Sequence, residues 1–169
     1  GTDAASFTLT EAGALSFVTQ PDYETKTLYS INVETKDSGS KTLVKTIEIA
    51  ITDADEAPVI TAVGGIVIED DAANNTVTGT LAGVDPEGAV VTYSASELTG
   101  AYGGQLVLDV ATGAYTYTMS NDNGSVQDLQ KDETLTETFT VSAFDGAISG
   151  SGSLSFTIQG ADDVYLAAP

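Results

Sequence analysis

The sequence predicts an all-β chain built as two β-sandwiches in tandem, the first of them incomplete. Three observations predict it. Thr, Val, Ile, Tyr and Phe recur in short alternating runs cut by Gly, Asp, Asn and Ser. An internal repeat relates the two parts of the chain. That repeat aligns residues 1–58 with only the second half of residues 59–163.

The alternation places strands near 6–9, 14–18, 27–35 and 43–52. A second set falls near 59–68, 76–82, 89–96, 105–109, 114–119, 134–143 and 152–159. Leu43–Ile51 alternates along its second half, and so does Thr134–Val141. Ser125–Gln130 reads as a helical turn after the polar Asn121-Asp122-Asn123-Gly124 loop. Regular short strands with turn signals between them favour a sandwich.

Three matches carry the repeat, in the same order. Gly13-Ala14-Leu15-Ser16-Phe17 matches Gly113-Ala114-Tyr115-Thr116-Tyr117. Val33-Glu34-Thr35-Lys36-Asp37 matches Val141-Ser142-Ala143-Phe144-Asp145, and Thr52-Asp53-Ala54-Asp55-Glu56 matches Gln159-Gly160-Ala161-Asp162-Asp163. The boundary is expected near Ala57-Pro58, where proline ends the preceding strand. Residues 1–58 are then the C-terminal half of one sandwich and 59–163 a whole one. Residues 164–169 are a linker or the first strand of a next repeat. Roughly 45 residues of the first copy are expected upstream of Gly1. The face of Phe7, Leu9, Leu15, Phe17, Leu28, Ile31, Val33, Ile47, Ile49 and Ile51 would lack an opposing sheet. A preceding segment or strand exchange with another chain would cover it, Val164–Pro169 being a candidate donor.

The composition narrows the function. Among 169 residues, 25 are acidic and five basic, giving a formal net charge of −20. A phosphate backbone or an anionic lipid surface needs a basic partner, so nucleic acid and membrane binding are excluded. No apolar run approaches the ~18 residues of a membrane-spanning helix. Cysteine and histidine are absent, which removes disulfides, thiolate metal sites and the usual Ser-His-Asp and Cys-His schemes. The reading is therefore not an enzyme. Tyr93, Tyr102, Tyr115 and Tyr117 lie in or beside strand-like runs and read as core or sheet-face residues. Asp3, Asp122, Asp128 and Asp132 carry no motif and read as surface.

Asp53-Ala54-Asp55-Glu56 puts three carboxylates within four residues at a strand end. Three such charges repel one another unless a cation screens them. Calcium takes six to eight oxygen ligands and favours Asp and Glu.

At these residues the first part resembles the C-terminal half of a cadherin repeat. Asp22-Tyr23-Glu24 is similar to the cadherin Asp-Arg-Glu motif, and Asp37 to the Asp after a Val-x-Ala-x pattern. Asp53-Ala54-Asp55-Glu56-Ala57-Pro58 resembles the Asp-x-Asn-Asp-x-Pro linker. Residues 59–163 resemble the VCBS and cadherin-like repeats of giant bacterial RTX-type adhesins. Ile68-Glu69-Asp70, Val84-Asp85-Pro86-Glu87, Asp132–Val141 and Phe144-Asp145-Gly146 carry that likeness. The departures are Ala54-Asp55 for Val-Asn, Glu87 for the second Asp of Asp-x-Asp, and a missing leading Asp in Gly160–Asp163.

The resemblance implies Ig-like, cadherin-like sandwiches and an inter-repeat Ca2+ site. Its ligands would be Asp22, Glu24, Asp53, Asp55 and Glu56 from the first part, with Asp85, Glu87 and Asp145 from the second. Glu69 is expected to join that set, while Asp162 and Asp163 serve the next junction. The implied function is a calcium-rigidified extracellular spacer of a secreted bacterial cell-surface adhesin, with neighbouring repeats of the array as partners. Two readings stand beside it. One is a calcium-dependent carbohydrate- or protein-binding module, and the other is a filament subunit assembled by homotypic strand donation.

Overall fold

The computed structural model describes residues 1–161. The chain divides into two compact units, Gly1–Asp55 and the residues from Glu56 onward. Val164–Pro169, read above as a candidate donor strand, lies outside the described residues, as do Asp162 and Asp163.

Unit 1 is two hairpins. After a short 3-10 turn at Ala4–Ser6, β1 (Phe7–Leu9) pairs antiparallel with β2 (Leu15–Phe17). β3 (Leu28–Lys36) then pairs antiparallel with β4 (Thr42–Ala50). The hairpins meet through aromatic rings. Tyr29 packs edge-on against Phe7 and Phe17, with centroids 5.8 and 5.1 Å away. Ile31 is the one buried apolar residue of this unit among the described residues. Leu9, Val18, Leu43 and Val44 stay more than half exposed. Leu28, expected on the inner face, is not there. The side-chain alternation of β3 puts Tyr29, Ile31 and Val33 together on one face and Leu28 on the other.

Unit 2 is a sandwich. Its strands are β5 (Val59–Thr61), β6 (Ile66–Ile68), β7 (Thr76–Thr80), β8 (Ala82–Val84), β9 (Thr92–Ala95), β10 (Gln105–Leu108), β11 (Ala114–Thr118), β12 (Thr134–Phe144) and β13 (Ser149–Gln159). One sheet has the order β10-β11-β7 and the other β6-β13-β12-β9, with β5 and β8 forming a separate pair. All pairs are antiparallel except β6 with β13. The two inner faces interlock where Tyr117 of β11 stacks on Phe156 of β13, centroids 4.0 Å apart and planes 7° from parallel. Tyr115, Phe139, Val141, Leu154 and Ile158 complete the buried centre.

The predicted run 59–68 is two strands. Gly64 and Gly65 separate them, and the Gly64 backbone lies so close to the Ser155 carbonyl that a Cβ would collide with it. The run 76–82 likewise splits, because the chain leaves β7 in one sheet and pairs with β5 through β8. The helical turn is α1 (Gly124–Gln127), starting one residue earlier than expected, with the Asn123 side chain accepting from the Ser125 amide at 2.9 Å.

Charge is segregated in unit 2. Glu137 is the single charged residue in the described strands of unit 2, and it points inward and is wholly buried. The outward residues of β12 and β13 are mostly Thr and Ser, including the Thr138–Ser155 hydroxyl pair at 2.9 Å. The other described carboxylates of this unit stand in turns and loops.

Candidate metal centre

In unit 1 the acidic residues gather after β2 and after β4. Glu24 and Asp53 bring carboxylate oxygens within 4.8 Å of one another, both exposed. Asp22 closes the turn that carries Glu24. Its Oδ1 accepts the Thr25 amide and its Oδ2 the Thr25 hydroxyl, both at 3.0 Å. The Thr25 amide, and then its hydroxyl, hold the Asp22 carboxyl below its ordinary range. Asp37 plays the same turn-closing role at the β3–β4 corner, where its Oδ1 accepts the Lys41 amide at 2.8 Å.

In unit 2 one end of the sandwich collects Glu56, Asp85, Glu87 and Asp145. The register fixes this placement. Val59 pairs with Val84, so Asp85 follows the end of β8 beside the start of β5. Phe144 pairs with Ser149, which sets Asp145 in the β12–β13 corner, and Gly150 lies against the Pro58 carbonyl. Glu56 and Glu87 bring carboxylate oxygens within 4.8 Å of one another.

Asp85 and Asp145 differ from ordinary surface acids. Asp85 is 6 % exposed; its Oδ2 accepts the Ala89 amide at 2.7 Å, and its Oδ1 is sealed from solvent with no partner. Asp145 Oδ1 accepts the Ala147 and Ile148 amides at 2.6 and 2.8 Å, while its Oδ2 is likewise sealed and unpartnered. Those amides, Ala147 first, lower the Asp145 pKa and keep it ionised. A buried carboxylate oxygen without a donor is costly. A hard cation removes that cost, so these oxygens suit calcium.

Glu69 is not part of this end. β6 runs parallel to β13, with Ile68 beside Gln159, so Glu69 follows the far end of β13. Eleven residues of β13 separate it from the Asp145 corner, about 35 Å at the rise of an extended strand. Glu69 is wholly buried. Its Oε1 accepts the Ala161 amide at 2.9 Å and its Oε2 has no partner. Asp70 beside it, at φ 55°, binds the Asn121 side-chain amide at 3.0 Å.

Two acidic residues have roles their sequence context did not signal. Asp3, read as surface, is partly buried; it pairs with Lys26 and accepts the Ser30 amide at 2.8 Å. Glu137 sits at an inward position of β12, between Leu135 and Phe139, where alternation calls for an apolar residue. Its oxygens accept from the Tyr102 amide at 2.5 Å and the Tyr117 hydroxyl at 2.6 Å. That parity was readable; the partners were not.

The chain superposes on human protocadherin-24 EC1-2 with a TM-score of 0.50 at 16 % identity, covering 96 % of this chain and 79 % of that one. It superposes on the human desmocollin-1 ectodomain with a TM-score of 0.52 at 17 % identity, covering 96 % of this chain and 32 % of that one. The fold is cadherin-like. No protein-family profile and no curated protein sequence matches the chain. The cadherin-like likeness agrees with the all-β, Ig-like architecture read from the sequence. The chain spans about a third of the desmocollin-1 ectodomain.

Proposed function

We propose that this chain is a calcium-rigidified extracellular spacer from a bacterial cell-surface adhesin of the VCBS/RTX type, and that it is not an enzyme. The observation that carries the reading is the pair of solvent-sealed, unpartnered oxygens on Asp85 and Asp145. They stand at the end of unit 2 that the linker enters. Asp22, Glu24, Asp53, Asp55 and Glu56 from the linker side, with Asp85, Glu87 and Asp145, would supply the six to eight oxygens calcium takes. Glu69 would serve a second site at the far end of unit 2, its unpartnered Oε2 offering one ligand. The cadherin-like fold supports the reading, because it places loops at both ends of each sandwich where a cation can lock successive units.

Spacing is a mechanical task. Without the cation the linker carboxylates repel and the junction hinges; with it the units are locked. Affinity is expected around 10⁻⁴–10⁻³ M, as for extracellular modules. At a hundredfold excess over Kd, calcium adds about 2.7 kcal/mol to the stability of the state that binds it. Calcium titration by calorimetry, with thermal melts and small-angle scattering in calcium and in chelator, tests this. Binding with a higher Tm and a stiffer scattering profile is expected. Identical melts and profiles overturn the proposal.

A further inference from the structure

We propose that residues 63–69 and β13 form a clamp that resists tension along the chain, anchored across the sandwich by the Tyr115 hydroxyl. The clamp adds a mechanical role to the spacer reading. It needs no cation, because every part of it lies within unit 2.

Strand direction makes the clamp. β6 is parallel to β13, with Ile66, Val67 and Ile68 beside Thr157, Ile158 and Gln159. The chain enters β6 at Ile66 and leaves β13 at Gln159. Tension therefore draws the two strands in opposite directions along their shared axis. Sliding of that kind strains all the bonds of a ladder at once, and in a parallel ladder those bonds are evenly spaced. The Gly65 carbonyl accepts the Thr157 amide at 2.9 Å, and the Glu69 amide donates to the Gln159 carbonyl at 3.0 Å. Between them Val67 is wholly buried. A hairpin pulled at its open end behaves in the opposite way, since its pairs take the load one after another. The β12–β13 hairpin is open at Thr134 and Gln159, where the Gly160 amide donates to the Glu133 carbonyl at 2.9 Å.

β5, which tension reaches first, is the weaker element. It pairs with β8 only over Val59–Thr61. Val59 is 66 % exposed, and Ile60 is only partly buried. The joint between β5 and β6 is fixed separately. Tyr115 of β11 is buried and donates its hydroxyl to the Val63 carbonyl. Its ring stands edge-on to Phe156 of β13, centroids 5.9 Å apart, so the donor is itself held by packing. Gly64 lies against the Ser155 carbonyl, with no room for a Cβ. The Val63 side chain is exposed, so the backbone alone makes this joint. It ties the chain to β11 in one sheet and to β13 in the other. Once β5 yields, the load passes to the Tyr115–Val63 bond and the β6–β13 ladder together.

Single-molecule pulling on the full chain tests the proposal. The chain has no cysteine, so introduced cysteines give unique handles. Ala54→Cys with Ala161→Cys loads the clamp, and Glu133→Cys with Ala161→Cys opens the hairpin. At one pulling speed the clamp geometry should need at least about twice the force of the hairpin geometry, in calcium and in chelator alike. Tyr115→Phe should lower that ratio by at least about a quarter, since it removes one of the strained bonds. Tyr117→Phe also deletes a buried hydroxyl bond, but away from the clamp, and should not lower the ratio. A ratio that persists in a protein whose melts ignore calcium supports the clamp and counts against the cation. Three results overturn the proposal. They are a ratio near one, a ratio that falls to one in chelator, and an equal effect of the two tyrosine variants on the ratio.

Discussion

The Tyr117 hydroxyl donates to Glu137 Oε2 at 2.6 Å, in a contact from which water is excluded. Glu137 Oε1 takes the Tyr102 amide, so one carboxylate ties β12 to β11 and to the turn before β10. Glu137→Ala removes both acceptors and leaves a cavity, and should cost about 3–5 kcal/mol. Tyr117→Phe removes one donor and keeps the ring stacked on Phe156, and should cost about 1–3 kcal/mol. Urea denaturation of both variants gives the order; equal losses would contradict it.

The same pair sets the alkaline limit. Burial, then the hydrogen bond to Glu137 and its charge, push the Tyr117 phenol far above the ordinary tyrosine range. The folded protein keeps this proton after the unfolded chain has lost it, so stability should fall as pH rises past about 10. Absorbance titration should find one tyrosine that ionises only on unfolding, and Tyr117→Phe should abolish that phase.

Acid acts through the turns. Lys26 holds Asp3 below its ordinary range, the Asn74 side chain does so for Asp71, and the Thr112 amide for Asp109. Each depressed value contributes stability above the unfolded pKa, and that contribution is lost as pH falls from about 4 through the folded value. The Tm should be level near neutrality and drop below pH 4. Asp109→Asn should make the drop smaller.

Asp53→Ala should weaken calcium binding at least tenfold, because it deletes a carboxylate from the Glu24–Asp53 pair. Asp128→Ala removes an exposed charge beyond α1 and should leave the titration unchanged, with stability within about 0.5 kcal/mol. Calorimetric titration of both distinguishes the residues. Matching isotherms would remove Asp53 from the ligand set.

Gly13 and Gly113 share a conformation but not surroundings. A Cβ at Gly13 meets nothing within 4 Å, whereas at Gly113 it would stand 2.8 Å from the Leu81 carbonyl and 3.0 Å from the Tyr93 ring. Gly13→Ala should cost about 1 kcal/mol from backbone strain alone, and Gly113→Ala distinctly more. Thermal melts of the two alanine variants make the comparison.

The strands of unit 2 were legible because polar and apolar residues alternate along Thr134–Val141 and Ser151–Ile158, broken only at Glu137 and Gly152. The split of residues 59–68 was not, since it depends on Gly64 meeting Ser155, a contact 91 positions away in sequence (155 − 64). The acidic motifs located Asp85 and Asp145 correctly at one end of the sandwich. Glu69 was misplaced because a motif gives proximity to a strand but not the direction in which that strand runs. Here the parallel pairing of β6 with β13 reverses the expected end.

The strands of unit 2 present hydroxyls and methyls outward, and their single carboxylate is turned inside. Register and net charge are therefore written in separate parts of the sequence. Acidic residues can change at exposed positions outside the strands, such as Glu97 and Asp128, while every ladder of the sandwich keeps its alignment.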